Sequence, residues 1–243
     1  MIREIFSSIM GEGKYIGRRF IFVRFAGCPL KCIYCDENHK KYLNRVEKSP
    51  GSGKFEILKN MDIENIVNIV DRLKTPDLFA VSFTGGEPLL YFKELKEIVE
   101  ILKDKEYKTF LESNGIFPDR VFYFDIASID IKLREHFNNI KEEEYIKLYR
   151  NEIKTIKNLY NLNSDVYAKI VIMENTNINT VKEIAKDLSD IGDITLCIQP
   201  VTPYGNIKPP SKRKLFKIME ACGEYLKDNV MLTIQMHKYL GVL

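Results

Sequence analysis

Three cysteines fall within eight positions, Cys28, Cys32 and Cys35 in "GCPLKCIYCDE", although the whole chain has only five. An odd count crowded on one segment makes a poor disulfide framework, but thiolates at C-x3-C-x2-C spacing suit a metal or redox centre in a reducing compartment. Structural zinc takes four protein ligands, usually as two separated pairs; the chain has no second C-x-x-C, and His39 could complete a Cys3His set. A cubane 4Fe-4S cluster has four irons, so three thiolates leave one open to bind a small molecule, which turns an electron carrier into a reaction site. Pro29, Lys31 and Asp36 mark a loop and not an apolar face, which argues against three cysteines packed as small hydrophobes. Cys197 in "LCI" and Cys222 in "MEACGEYL" lack ligand spacing and read as buried structural residues.

The segments that must position this loop alternate short β-branched or aromatic runs with helical periods, the pattern of a parallel sheet covered by helices. "RRFIFVRFAG" reads as a first strand, followed by a polar excursion from Asn38 to Asn60 and a helix Ile63 to Leu73. Next come strand "LFAVSFTGG", helix Phe92 to Lys103, strands "KTFLESNG" and "ASIDIKL", helix Glu142 to Tyr160, and strand "VYAKIVIM". Helix Ile178 to Leu188, strand "ITLCIQPV", helix Ser211 to Leu226 and a final strand "VMLTIQMH" complete the order. About six parallel strands make an incomplete or complete barrel, with functional residues in the loops after the strands' C-terminal ends. Cys28, "GGEP", "ESNG" and "QPVTP" all fall there. In "GGEP", Gly85 and Gly86 lack a Cβ and let backbone approach a ligand, and Pro88 stiffens the exit; alone the segment reads equally as a plain strand-to-helix turn, and its place one βα unit after the cysteine loop favours the ligand reading.

At 243 residues and 45% hydrophobic, the chain can bury a full core, and we expect one α/β domain over residues 1–243. The net charge of +3 gives no strong field for nucleic acid or anionic lipid. No 18-residue apolar run and no cleavable leader pattern is present, so a soluble, cytoplasmic protein with no membrane partner is expected. Abundant Lys, Ile, Glu and Asn with no Trp reflects either genome composition or heat adaptation.

C-x3-C-x2-C with an aromatic residue, Tyr34, before the last cysteine resembles the radical S-adenosylmethionine (SAM) superfamily, and "FTGGEPLLY" looks like its glycine-rich motif. The resemblance implies a partial (β/α)6 TIM-like barrel, a 4Fe-4S cluster on Cys28, Cys32 and Cys35, and SAM chelated to the open iron and cleaved to a 5'-deoxyadenosyl radical. "EIFSSIMGEGKYIGRRFIFVRFAGC", with "ESNG", "QPVTP" and the terminal "IQMHKYLGVL", is similar to the 7-carboxy-7-deazaguanine synthase family. That family converts 6-carboxy-5,6,7,8-tetrahydropterin to 7-carboxy-7-deazaguanine with loss of ammonia, towards deazaguanine nucleosides of tRNA.

Such a substrate needs recognition of a carboxylate and of a donor and acceptor edge. Arg24 offers a planar fork for the carboxylate or a ring carbonyl, and Glu12 and Glu112 can accept from the amino-pyrimidine edge. The blander readings are a surface ion pair for Arg24 and ordinary turn or helix charges for the two glutamates. By the family pattern Ile9, Met10, Gly11, Arg24 and Thr84 contact substrate, Leu243 closes the pocket with its terminal carboxylate, and His237 belongs to the site. SAM contacts carry over to Tyr34, Cys35, Asp36 and Gly86, and extend to Ser113, Asn114, Asp130, Ile131, Lys132 and Gln199. Ser113 and Asn114 could also simply form a turn with Gly115.

Met10 replaces the usual glutamine of the family's "QGEG" segment, and Glu37 replaces the threonine or serine that supplies a Mg2+ ligand. A carboxylate is still a hard oxygen donor, so Mg2+ on Glu37 is expected. The resemblance also implies a homodimer and an external reductant such as flavodoxin or ferredoxin. Two other functions share the cysteine spacing or the thiol set: an activase for a glycyl-radical enzyme, which needs a protein substrate, and a non-catalytic zinc-stabilised binding module.

Overall fold

Each central strand buries both of its faces, and the two faces carry different residues. In the computed structural model, which describes residues 1–35 and 44–242, these strands form one ten-stranded sheet. The elements run β1 (Ile2–Ile9), β2 (Arg19–Phe25), β3 (Arg45–Glu47), β4 (Phe55–Ile57), α1 (Ile63–Leu73), β5 (Leu78–Gly85), α2 (Phe92–Asp104), β6 (Thr109–Ser113) and β7 (Ile126–Ile131). After them come α3 (Glu142–Asn161), β8 (Asp165–Ile172), α4 (Ile178–Ser189), β9 (Thr195–Pro200), α5 (Lys212–Leu226), β10 (Val230–Leu232) and α6 (Met236–Leu240).

The sheet order is β10-β9-β8-β7-β6-β5-β2-β1-β3-β4. From β2 through β10 neighbouring strands are parallel. This is the strand and helix succession of an incomplete barrel, and it stays open because β10 and β4 form edges. Helices follow β5, β7, β8 and β9, as parallel pairing requires a crossover. The starts of α1 and α5 are marked by side-chain caps: Asp62 accepts from the Asn65 N–H at 2.9 Å, and Ser211 from that of Lys214 at 3.2 Å.

Period-two alternation sorts each strand's side chains between two layers. Ile21, Val23, Val81, Phe83, Leu111, Ile129, Ala168, Ile170 and Ile198 meet the helices' apolar faces in the large core. Phe20, Phe22, Ala80, Phe110, Ile126, Tyr167 and Cys197 point to the other face and fill the lower inside with rings, such as Phe20 against Phe110 at 5.3 Å. Each buried aliphatic or aromatic side chain contributes about 1.5–3 kcal/mol. Towards the strands' C-terminal ends the inward positions become polar.

Two expectations need correction. "RRFIFVRFAG" is the second strand: Ile2–Ile9 forms β1, which pairs antiparallel with β2 and buries Ile2, Ile5 and Phe6. The final strand is only Val230–Leu232, because the chain turns at Gln235, where the Met236 N–H donates to Gly11 O at 2.9 Å and α6 begins. The polar excursion, in its described part, holds the β3–β4 hairpin. Cys197 and Cys222 are fully buried as expected, and burial pushes both thiols up to about 12.

Candidate active site

The inward polar positions surround a cavity of about 530 Å³. Arg24 of β2, Thr84 of β5, Glu112 of β6, Asp130 of β7, Lys169 of β8 and Gln199 of β9 all line it. Each lies above an aromatic or small inward residue on its own strand, so the same alternation that packs the lower interior delivers six polar groups above it. Ile131, one residue on from Asp130, is turned by that alternation into the helix-side core and is not among the lining residues.

On one side lie the thiols. Cys28, Cys32 and Cys35 share the cavity, and Asn114 Nδ2 donates to Cys28 Sγ at 3.4 Å. Among the described residues no three His, Cys, Asp or Glu side chains converge as around a single ion. Three thiols on one cavity are a donor set that fits a 4Fe-4S cluster, where each thiolate takes a different iron. Burial pushes Cys32 up to about 11 and Cys28 above its ordinary value, so metal binding here displaces protons from neutral thiols.

The loop is anchored through His136. Its Nδ1 accepts the Leu133 N–H at 3.0 Å, so Nε2 carries the proton and donates to Val171 O at 2.9 Å. Tyr34 then donates its hydroxyl to Nδ1 at 3.1 Å, and the Ile33 N–H donates to His136 O at 2.9 Å. Burial, helped by the Lys132 charge, holds His136 neutral with a pKa of about 3.

The glycine pair closes the floor beside the thiols. Gly85 has φ of 107°, and a Cβ on Gly86 would stand 1.9 Å from Gly27 O. Two hydrogen bonds draw these backbones together: Gly86 N–H to Phe25 O at 2.9 Å and Glu87 N–H to Gly27 O at 2.8 Å. Glu87 is fully buried and accepts from the Leu89 N–H, the Ser113 hydroxyl and the Asn114 N–H at 2.9–3.0 Å. Burial pushes its carboxyl up to about 7 despite those bonds. Glu87→Ala would orphan three donors and is expected to destabilise the protein by about 3 kcal/mol in chemical denaturation.

On the other side lie the groups suited to an organic substrate. Glu12 takes Lys169 Nζ on one oxygen at 2.5 Å and Gln235 Nε2 on the other at 2.7 Å. Burial alone would push its carboxyl up, yet Lys169 and these hydrogen bonds hold it at about 2. Burial pushes Glu112 above the usual carboxylate range against the lowering effect of Lys169 and a Thr84 hydrogen bond. Arg24 pairs with Glu4 at 2.7 Å, but this is no surface pair, since Glu4 is buried and also holds Arg45 at 3.1 Å. Asp130 is held low: burial pushes it up, and Lys132 at 2.9 Å and Lys169 at 3.2 Å outweigh that. His237 packs its ring against Gly11, where a Cβ would stand 2.1 Å from Nδ1.

The cavity thus gathers Ile9, Met10, Gly11, Glu12, Tyr34, Gly86, Ser113, Asn114, Lys132 and His237 as well as the thiols and the inward polar residues. Asp36, Glu37, His39 and Leu243 lie outside the described residues; Val242, beside Leu243, lines the cavity. Lys169, Gln235, Glu4, Glu87 and His136 were missed in the sequence. Lys169 had a signal, a charge inside the apolar run "VYAKIVIM" on the same face as Tyr167.

A partial barrel with three thiols beside a double-glycine turn defines a class, and the Radical SAM superfamily matches residues 22–188. The chain is 80% identical over all 243 residues, and over the relative's full length, to the 7-carboxy-7-deazaguanine synthase of Methanocaldococcus jannaschii. It is 36% identical to that of Methanothermobacter thermautotrophicus, across 99% of this chain and 97% of the relative. The crystal structure of QueE from Escherichia coli shares the fold at a TM-score of 0.63 and 18% identity, covering 97% of this chain and 93% of that one. The chain belongs to the radical SAM superfamily and, within it, to the 7-carboxy-7-deazaguanine synthase family.

Proposed function

We infer that the protein converts 6-carboxy-5,6,7,8-tetrahydropterin to 7-carboxy-7-deazaguanine with release of ammonia. What carries this reading is one cavity that faces three thiols with Glu12, Arg24 and Glu112. When bound, a 4Fe-4S cluster and SAM supply the hydrogen-abstracting radical. Cys28, Cys32 and Cys35 would hold the cluster, and Tyr34, Gly86, Ser113, Asn114 and Gln199 lie on the cavity wall available to SAM.

The chain's own groups bind, orient and exclude water. Arg24 supplies a cation for the substrate carboxylate, with Glu4 steering the guanidinium. Glu12 and Glu112 accept from the pyrimidine edge, and the tail, through Gln235 and His237, packs over the Gly11 turn. Holding the ring against a fixed wall is how positioning lowers the barrier to a rearrangement. Mg2+ on Glu37 and the substrate carboxylate belongs to the same reading, as do an external low-potential reductant, a homodimer, and action of residues 1–243 as one domain in the reducing cytoplasm. Among the described residues no helix is long and apolar enough to cross a membrane.

The test is anaerobic incubation of cluster-loaded protein with the carboxypterin, SAM, Mg2+ and reductant, followed by mass analysis. A deazapurine and ammonia are expected without any partner protein, and Mg2+ is expected to accelerate the native enzyme but not Glu37→Ala. No deazapurine would turn the reading to activation of a glycyl-radical enzyme. Zinc without iron or sulfide in anaerobically purified protein would turn it to a binding module.

A further inference from the structure

A buried ammonium is unfavourable unless it is paired, so Lys169 on the inner face of β8 calls for a reason. Its side chain is 12% exposed, and Nζ stands 2.5 Å from Glu12 and 3.2 Å from Asp130. Asp130 already has Lys132 at 2.9 Å, so it does not depend on Lys169 for a counter-charge. Glu12 leans on it more: Gln235 offers it only a neutral amide, and His237 lowers its carboxyl less than Lys169 does.

We propose that Lys169 is a positioning residue for substrate recognition, fixing Glu12 as a charged acceptor for the N–H donors of the pterin's pyrimidine edge. The proposal rests on the function inferred above. Three carboxylates, Glu12, Glu112 and Asp130, come together in this part of the cavity from the Gly11 turn, β6 and β7: Glu12 raises both of the others, and Asp130 also raises Glu112. The charged and titratable groups facing Glu12 are Lys169 from β8, Glu112 from β6, Asp130 from β7 and His237 from the tail. Remove Lys169 and the burial that pushes Glu12 up is opposed only by the Gln235 hydrogen bond and by His237. Glu12 then takes a proton in the accessible pH range and presents an O–H donor to a donor edge. The same ammonium ties the Gly11 turn to the sheet, 157 residues away in sequence, so it sets where the carboxylate sits as well as its charge.

The test is equilibrium binding of the carboxypterin to cluster-loaded protein with SAM but no reductant, over about pH 8 to 5.5, a span that covers a carboxyl raised by burial. Lys169→Met is expected to weaken pterin binding on the order of tenfold or more, as loss of a charge-assisted hydrogen bond does. The weakening should deepen as pH falls relative to the wild type measured alongside, which controls for titration of the pterin itself. SAM binding should stay within about threefold, well below one tenfold step of affinity, and Lys169→Arg should recover much of the pterin affinity. Because a lone buried carboxylate can prevent folding, Glu12→Gln/Lys169→Met is measured too; it should bind pterin no worse than Glu12→Gln alone. Unchanged pterin affinity and pH profile in Lys169→Met, an equal loss for SAM, or a double variant much weaker than Glu12→Gln would each overturn the inference. A wild-type protein that turns over no pterin would overturn both this inference and the function beneath it. Normal wild-type turnover beside an unaffected Lys169→Met would sink this inference alone.

Discussion

Gly86→Ala is expected to cost on the order of a hundredfold or more in turnover, the scale on which displacements of about 1 Å act in an organised site. The new Cβ would lie 1.9 Å from Gly27 O and 2.5 Å from its carbonyl carbon, and both are backbone atoms that no rotamer change can move. Gly27 has φ of 82° and precedes Cys28 directly, so relief of the clash shifts the first thiol or breaks the Glu87 N–H to Gly27 O bond. Either response moves the wall available to SAM. Titration of SAM into the cluster-loaded variant, read by perturbation of the cluster spectrum, should show weakened binding, while far-UV circular dichroism stays near that of the native protein. Native SAM affinity in Gly86→Ala would show that the close approach has no role in holding the cofactor.

Cys28→Ala, Cys32→Ala and Cys35→Ala should each abolish turnover and reduce iron and sulfide sharply. A cluster held by three protein thiolates has no spare ligand, and among the described residues no other cysteine lines the cavity. The fold should survive, because these thiols sit on a partly exposed loop and not in the helix-side core. Cys197→Ala and Cys222→Ala are the contrast: both are buried and protonated, and both should keep full iron content and turnover at a cost of about 1 kcal/mol in stability. Full iron content in any of the three loop variants would remove that cysteine from the ligand set.

Much of the site was legible without coordinates because its chemistry is written in short windows. The three cysteines, the double glycine with Pro88, and the aromatic Tyr34 each lie within a few residues, where spacing alone carries meaning. The helices were legible for the same reason: Ile63–Leu73 has the expected bounds, since one apolar face every 3.6 residues needs no distant partner to be read. The N-terminal strand was not, because "IREIFSSI" carries charge beside its apolar residues and becomes a strand by pairing with β2.

What only the tertiary structure decided is which face of each strand looks inward. Alternation assigns Asp130 and Ile131 to opposite layers, but the pattern is symmetric until a sheet chooses its inside. The same choice turned Lys169 from an odd charge in an apolar strand into a partner of Glu12, and brought Gln235 to that carboxylate across 223 residues of sequence. Those meetings are set by strand order and by the closing turn of the tail, which no local window contains. The sequence by itself specified the thiol loop and the alternating elements that hold it, whereas the charge arrangement opposite the thiols arose from long-range pairing.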